Sequence, residues 1–157
     1  MMQEQLQTRG DVEIIKEWKS GKKESVDIRN TILINGRRAL ALGLANAIGD
    51  GFNFYITRML FGDGGTTSGE KKFVNANRDG LFGVVQISKP VLANIDNSIP
   101  TQVILTSVLS YDEAIGVTLN EMALQMANSE LYSMTTFPDL NKTEDMQITF
   151  NWRLNFV

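Results

Sequence analysis

The clearest pattern in the chain is a strict alternation of apolar and polar residues at its C-terminal end. Between residues 145 and 157, Met146, Ile148, Phe150, Trp152, Leu154 and Phe156 alternate with Gln147, Thr149, Asn151, Arg153 and Asn155. A period of two places successive side chains on opposite faces of a β-strand. At about 3.3 Å per residue this strand is about 35–40 Å long, so we expect it to cross a whole sheet or to extend into a neighbouring subunit.

Shorter patterns of the same kind predict further strands. Residues 11–19 and 24–29 flank a polar turn at 20–23, which is typical of a β-hairpin. Runs rich in β-branched and aromatic residues predict strands at 54–61, 81–89, 101–111, 117–126 and 131–137. We expect loops at 62–72, 75–80, 93–100 and 138–144. Serial strands joined by such loops indicate an antiparallel fold.

The period changes to helical spacing between residues 31 and 47. Asn30 is the expected N-cap, and glycines at 49 and 51 are expected to end the helix. Gly36 and Gly43 lie seven residues apart on one face, where a missing side chain allows close approach to a sheet. The sequence therefore predicts a mainly β fold, an antiparallel β-sandwich with one substantial helix (about 31–47) packed against it.

The length of 157 residues suits one domain. Residues 1–9 are polar and predict a flexible N-terminal arm, whose Leu6 and Arg9 are candidate contacts to a neighbouring subunit. Residues 10–157 are expected to form a single β-sandwich domain, because no linker-like stretch divides them.

The amino-acid composition excludes most common types of catalytic and metal site. The chain contains neither Cys nor His, which leaves no thiol nucleophile, imidazole base or usual zinc or haem ligand set. Lys and Arg number 15 against 18 Asp and Glu, a net charge of −3, so we expect no direct nucleic-acid binding. No apolar run reaches the length of a membrane-spanning helix. We therefore expect no enzyme activity, no cofactor, no metal and no membrane partner.

A glycine-rich segment is the candidate functional loop. Gly64 and Gly69 have the spacing of a phosphate-binding loop, but Glu70 stands where that loop requires Lys. The predicted loop is therefore a conformational feature of the surface rather than a nucleotide site. Its candidate functional residues are Gly62, Asp63, Gly64, Gly65 and Thr66.

Carboxylates give weaker candidates. Aspartates in turns, three of them before glycine, are compatible with a calcium site, but Asp-Gly is also a turn signal in its own right. The acidic pairs at 112–113 and 144–145 resemble a glycosidase acid and nucleophile in type only, because adjacent strand residues face opposite ways. The polar face of the last strand is a candidate assembly interface, although a half-buried sheet explains it equally well. Its residues are Gln147, Thr149, Asn151 and Arg153.

The order of several short motifs from residue 10 to the C-terminus resembles a diffuse group of small virion proteins of tailed bacteriophages. The motifs are GDVEI at 10–14, NTILINGR at 30–37, ITRMLFGDGGT at 56–66, LNEMAL at 119–124, MTTFP at 134–138, and NK at 141–142 before ITFNW at 148–152. None is a catalytic signature. Proteins of this group are structural parts of the particle, at the neck or collar, on the capsid, or at the tail and its fibre attachment.

The resemblance implies a non-enzymatic virion protein that is assembled in multiple copies in the bacterial host cytoplasm, most readily at the neck, collar or tail. Its partners would be other virion proteins and copies of itself. One alternative is a carbohydrate- or receptor-binding β-sandwich module of a fibre or capsid, although no residue pattern supports a glycan site. The other is an envelope-degrading enzyme that depends on Glu113 or Glu144.

Overall fold

The fold is given by a computed structural model, which describes residues 8–45 and 54–156. Within these ranges the chain forms one helix and twelve strands. They are β1 (Thr8–Trp18), β2 (Lys23–Arg29), β3 (Thr31–Ile32), α1 (Ile34–Leu44), β4 (Ile56–Gly62), β5 (Thr66–Thr67), β6 (Glu70–Lys71), β7 (Val85–Pro90), β8 (Leu92–Asn94), β9 (Gln102–Leu109), β10 (Thr118–Met126), β11 (Leu131–Asn141) and β12 (Met146–Phe156).

Two five-stranded antiparallel sheets face each other. The first sheet has the strand order β2-β1-β12-β9-β8, and the second has the order β3-β11-β10-β4-β7. Strands β5 and β6 form a separate two-stranded hairpin. The predicted fold class, a mainly β sandwich with one helix, is confirmed.

The alternation at the C-terminus forms the centre of the first sheet. Strand β12 pairs with β1 along its whole length, from Thr8 opposite Phe156 to Trp18 opposite Met146. Its apolar residues from Met146 to Leu154 are buried between the sheets, where the centre of the Phe150 ring lies 4.6 Å from that of the Phe61 ring of β4. Burying each large apolar side chain contributes about 1.5–3 kcal/mol, so this alternation provides much of the core.

The N-terminal hairpin is confirmed, with a turn in which Gly21 has a φ of 92°. Strand β1 begins at Thr8, earlier than predicted, because its first residues pair with the end of β12. The predicted arm is therefore wrong for residues 8 and 9. Residues 1–7, including Leu6, lie outside the described residues.

The helix is shorter than predicted and begins later. Thr31 and Ile32 form β3, which pairs with β11, so pairing in the second sheet prevails over local helical spacing. Leu33 rather than Asn30 is the N-cap, and Ala45 is the C-cap. The expected stop at 49–51 lies outside the described residues. No helix in the described part of the chain is both long and apolar enough to cross a membrane.

The two helix glycines differ from each other. Gly36 is buried, and a methyl group there would overlap the backbone oxygen of Tyr132 in β11. The predicted close approach to the sheet is confirmed at this position. Gly43 is exposed and has open space where a Cβ would lie, so the same prediction is wrong there.

Three other strands differ from the predicted boundaries, two of them for a physical reason. Strand β11 continues through Pro138 to Asn141, where a loop was predicted, because a register irregularity between the pairs Leu119–Leu140 and Glu121–Thr136 accommodates the proline. Strand β7 begins at Val85 rather than at residue 81, because backbone groups before it bond to a side chain of β10 instead of to a strand. Strand β8 occupies the first part of the loop predicted at 93–100.

Candidate functional site

The glycine-rich loop lies at the end of β4, against the neighbouring strand β10. Gly62 is the last residue of β4 and Thr66 opens the β5–β6 hairpin. Gly62 and Gly65 are buried, whereas Asp63 is exposed. The backbone of the loop is therefore buried at Gly62 and Gly65, and Asp63 between them faces solvent.

Glu121 of β10 is the main anchor of the loop. It is 0% exposed, and its carboxylate accepts three backbone N–H groups. Gly64 N and Gly83 N donate to Oε1 over 3.0 and 2.8 Å, and Phe82 N donates to Oε2 over 2.7 Å. An ionised carboxylate is an acceptor only and suits three converging donors. Glu121 therefore joins the two ends of the segment from residue 64 to residue 83.

Asn120, the preceding residue of β10, holds the other half of the loop. Its Oδ1 accepts from Gly65 N over 2.7 Å, and its Nδ2 lies 3.0–3.1 Å from Asp63 O, Thr66 Oγ1 and Asp139 Oδ1. Thr66 Oγ1 also donates to Asp139 Oδ1 over 2.8 Å. Hydrogen bonds from Asn120 and then Thr66 lower the pKa of Asp139 below its ordinary value.

An aromatic contact fixes the segment that packs against the glycine-rich loop. The guanidinium of Arg78 lies 3.7 Å from the centre of the Phe82 ring, and Lys72 Nζ lies 5.0 Å from it. Arg78 also donates to the carbonyls of Gly80 and Leu81. Such cation–π contacts stabilise by about 0.5–1 kcal/mol each at exposed sites. These contacts hold residues 78–81 next to Phe82 and Gly83, whose backbone N–H groups donate to Glu121.

The glycines are required by close approach of the backbone. A methyl group at Gly65 would overlap the backbone oxygen of Asn120, and one at Gly64 would overlap the backbone of Gly83. At Gly62 it would contact the Glu121 carboxylate. The sequence prediction of a conformational role for these glycines agrees with this geometry.

Residue-type reasoning did not single out Asn120 or Glu121, although both belong to a motif that carries the resemblance. The available signal was an Asn-Glu pair inside the apolar strand β10, where seven of nine residues are buried, among them Leu119, Met122 and Leu124. A buried acid is rare without partners, so this pair predicts a hydrogen-bonded role.

The candidate interface on β12 lies on the outer face of the first sheet, in its central strand. Its polar side chains already bond to neighbouring strands. Asn151 bonds to Glu13 and Thr106, and Arg153 pairs with Asp11 and Asp27. Gln147 donates to Glu17, and Thr149 is half-buried between the same strands. Arg9 is exposed at the end of the sheet.

The carboxylates considered for catalysis lie in different environments. Glu113 pairs with Lys89 at 2.6 Å, and this bond lowers the pKa of Glu113 to about 2 against the effect of burial. A general acid needs a raised pKa, so Glu113 suits an ion pair better than proton donation. Glu144 is exposed in the turn before β12. Among the described residues, no three acidic side chains are grouped as a metal site.

A groove of about 650 Å³ runs along the β2 edge of the sandwich; we call it the lateral groove. It lies between β2 and the segment after β6, with Thr136 and Pro138 of β11 at its base. Phe73 is 85% exposed and Val26 48% exposed beside it. The groove therefore leaves substantial apolar surface in contact with water.

A second apolar surface lies at the opposite edge, where the chain crosses from β7 to β8. Val91 N donates to Thr57 O, and Ser107 Oγ donates to Pro90 O, which fixes the crossing. Leu92 is 73% exposed beside a shallow hollow of about 370 Å³. We call this surface the lateral shelf; it comprises Pro90, Val91, Leu92 and Val108.

Comparison of the chain with known protein families, with curated proteins and with solved structures found no match.

Proposed function

We propose that the protein is a non-enzymatic structural subunit of a tailed-phage virion, assembled in several copies at the neck, collar or tail. The order of the motifs in the sequence supports the virion class. The observation that carries the assembly role is the presence of exposed apolar surface at both lateral edges of the sandwich. The lateral groove lies at the β2 edge and the lateral shelf at the β8 edge of the same sheet.

Two different surfaces on opposite edges suit a head-to-tail contact. In such a contact the shelf of one copy enters the groove of the next, and a rotation that closes generates a ring. Leu92 and Phe73 are the most exposed large apolar side chains of the two surfaces, at 73% and 85%. Contiguous exposed apolar patches mark interaction sites, because leaving them in water costs free energy.

The glycine-rich loop supports the same function by shaping the groove. Thr136 Oγ1 donates to Lys72 O, and Lys72 N donates to Gly65 O. These bonds continue from the Asn120 anchor to Lys72 and Phe73, which line the groove. The loop therefore acts as a rigid wall of the contact surface.

A mixing experiment tests the head-to-tail contact. Leu92→Asp and Phe73→Asp each damage one surface, so each variant alone is expected to be a monomer by light scattering. In a mixture of the two, the Leu92→Asp variant still has an intact groove and the Phe73→Asp variant still has an intact shelf. These two surfaces can still join, so a heterodimer is expected. Ile115→Asp is the control, because Ile115 is an exposed apolar residue (53%) outside both surfaces. If both variants alone formed the same assembly as the wild-type chain, the head-to-tail contact would be contradicted.

The virion role has a separate test. Mass spectrometry of purified particles of the phage that encodes the chain is expected to detect it at several copies per particle, relative to the portal protein. Its absence from intact particles would contradict a structural role. This result does not depend on which surfaces join the copies.

Glycan binding is the second candidate function, favoured by the exposed Phe73 ring beside polar groove residues such as Asp27 and Thr136. Aromatic rings commonly provide apolar contact area in binding sites. A glycan array is the test. Binding that Phe73→Ala abolishes would support this function, and an array without signal would contradict it.

A further inference from the structure

A small pocket lies at one corner of the sandwich, where β1 begins and β2 ends. Its volume is about 320 Å³, and its lining includes Arg9 of β1, Arg29 of β2 and Arg37 of α1. No carboxylate belongs to the lining. We call it the corner pocket; it is distinct from the lateral groove, although Arg29 borders both.

The three arginines of the corner pocket differ from the other arginines of the chain. Among the described residues, their guanidinium groups have neither an ion pair nor a hydrogen bond. The four arginines elsewhere all have partners: Arg38 contacts Glu130, Arg58 bonds to Ser88, Arg78 bonds to two carbonyls, and Arg153 pairs with Asp11 and Asp27. In a chain of net charge −3, the arginines without partners in the described part of the chain are therefore all found at this one pocket.

A second observation at the same place is an unsatisfied amide. Asn30 lines the corner pocket, and both polar atoms of its side chain are buried without a hydrogen-bond partner. Its carboxamide lies directly against Gly10, where a methyl group would overlap it. Buried polar groups are normally paired, because leaving one unpaired is costly. A rotation of this side chain toward the pocket would supply an N–H donor to a bound acceptor.

We propose that the corner pocket binds the phosphate group of a small molecule. A guanidinium offers a planar fork of donors that matches phosphate oxygens, and several forks together suit a doubly charged anion. The volume is at the lower end for small-molecule sites and leaves room for a phosphate with a small substituent. The proposal concerns a site beyond the assembly contacts and does not depend on them.

The test uses inorganic phosphate as the probe. Backbone amide signals of the isotope-labelled full chain are followed by NMR during a phosphate titration at constant ionic strength, with chloride as the balancing anion. We expect saturable shifts at Gly10, Asn30 and the first turn of α1. Shifts that spread over the whole surface, or an equal response to acetate, would overturn the proposal, because they would indicate general charge screening.

Matched variants locate the site. Arg29→Gln and Arg37→Gln together are expected to weaken phosphate binding at least about tenfold, since each substitution removes a positive charge and the charge-assisted hydrogen bonds of one guanidinium to the anion. Arg38→Gln is the control: it removes the same charge from the adjacent helix position, but Arg38 faces Glu130. The amide spectrum of each variant shows whether it is folded. Equal weakening by the control, or none in the double variant, would overturn the assignment.

Discussion

Replacing Glu121 by Gln is the sharpest test of how the glycine-rich loop is held. The substitution keeps the size of the side chain but replaces one acceptor oxygen by an NH₂ donor. If the amide oxygen occupies the Oε1 position, it still accepts from Gly64 N and Gly83 N. The NH₂ group then faces Phe82 N, which donates to Oε2 in the wild type. One hydrogen bond becomes a contact between two donors.

The magnitude follows from these three bonds. A hydrogen bond to a charged group contributes about 1.5–3 kcal/mol and a neutral one about 1 kcal/mol. Losing one charged bond and converting two others to neutral bonds costs about 2.5–7 kcal/mol. The lower desolvation cost of a buried amide, compared with a carboxylate, offsets part of this loss. We expect a net destabilisation of about 3 kcal/mol, a large fraction of the 5–15 kcal/mol typical of folded domains.

Two measurements check this expectation. Urea unfolding followed by fluorescence gives the change in the free energy of unfolding. Hydrogen exchange at Phe82 locates the effect, and its amide is expected to exchange about 100-fold faster in the variant. Glu144→Gln is the matched control, because Glu144 is exposed and should change stability by less than about 0.5 kcal/mol. Unchanged stability and exchange in the Glu121 variant would refute the proposed anchoring.

Two further predictions follow from local geometry. Gly36→Ala should destabilise the folded protein by about 1–3 kcal/mol, because the added methyl group overlaps the Tyr132 carbonyl. Gly43→Ala places its methyl group in open space and should stabilise the helix by up to about 1 kcal/mol. Thermal unfolding of both variants measures this contrast. The ion pair of Glu113 with Lys89 lowers the folded-state pKa of Glu113 from 4.5 to about 2. The stabilisation by this ion pair is therefore present above pH 4.5 and lost as the pH falls toward 2. Lys89→Met should reduce the dependence of the free energy of unfolding on pH, measured by urea unfolding between about pH 2 and 7. An unchanged pH profile would contradict the pairing.

Much of the fold follows from hydrophobic periodicity. Strand β12 was predictable because each of its apolar positions faces the core and each polar position lies on the outer face. The hairpin was predictable because its turn chemistry and flanking alternation agree. The helix start was not, since Thr31 and Ile32 have helical spacing but gain backbone hydrogen bonds from β11, which is distant in sequence.

The candidate site was predictable only in part. Its glycines mark a backbone conformation that side chains would obstruct, and this is visible in the sequence. The residues that hold the loop are about 55 positions away along the chain, on β10. Periodicity does not report which strands become neighbours, so the link between the loop and Glu121 required the sheet order. The lateral surfaces likewise depend on which strands lie at the sheet edges.

The molar mass of the purified full chain, measured by size-exclusion chromatography with light scattering over a concentration series, tests assembly most directly. We expect a discrete mass that corresponds to two or more copies of the 17.5 kDa chain. We also expect Leu92→Asp to reduce this mass to that of the monomer. A wild-type chain that stays monomeric at every concentration would contradict self-assembly through the lateral groove and the lateral shelf.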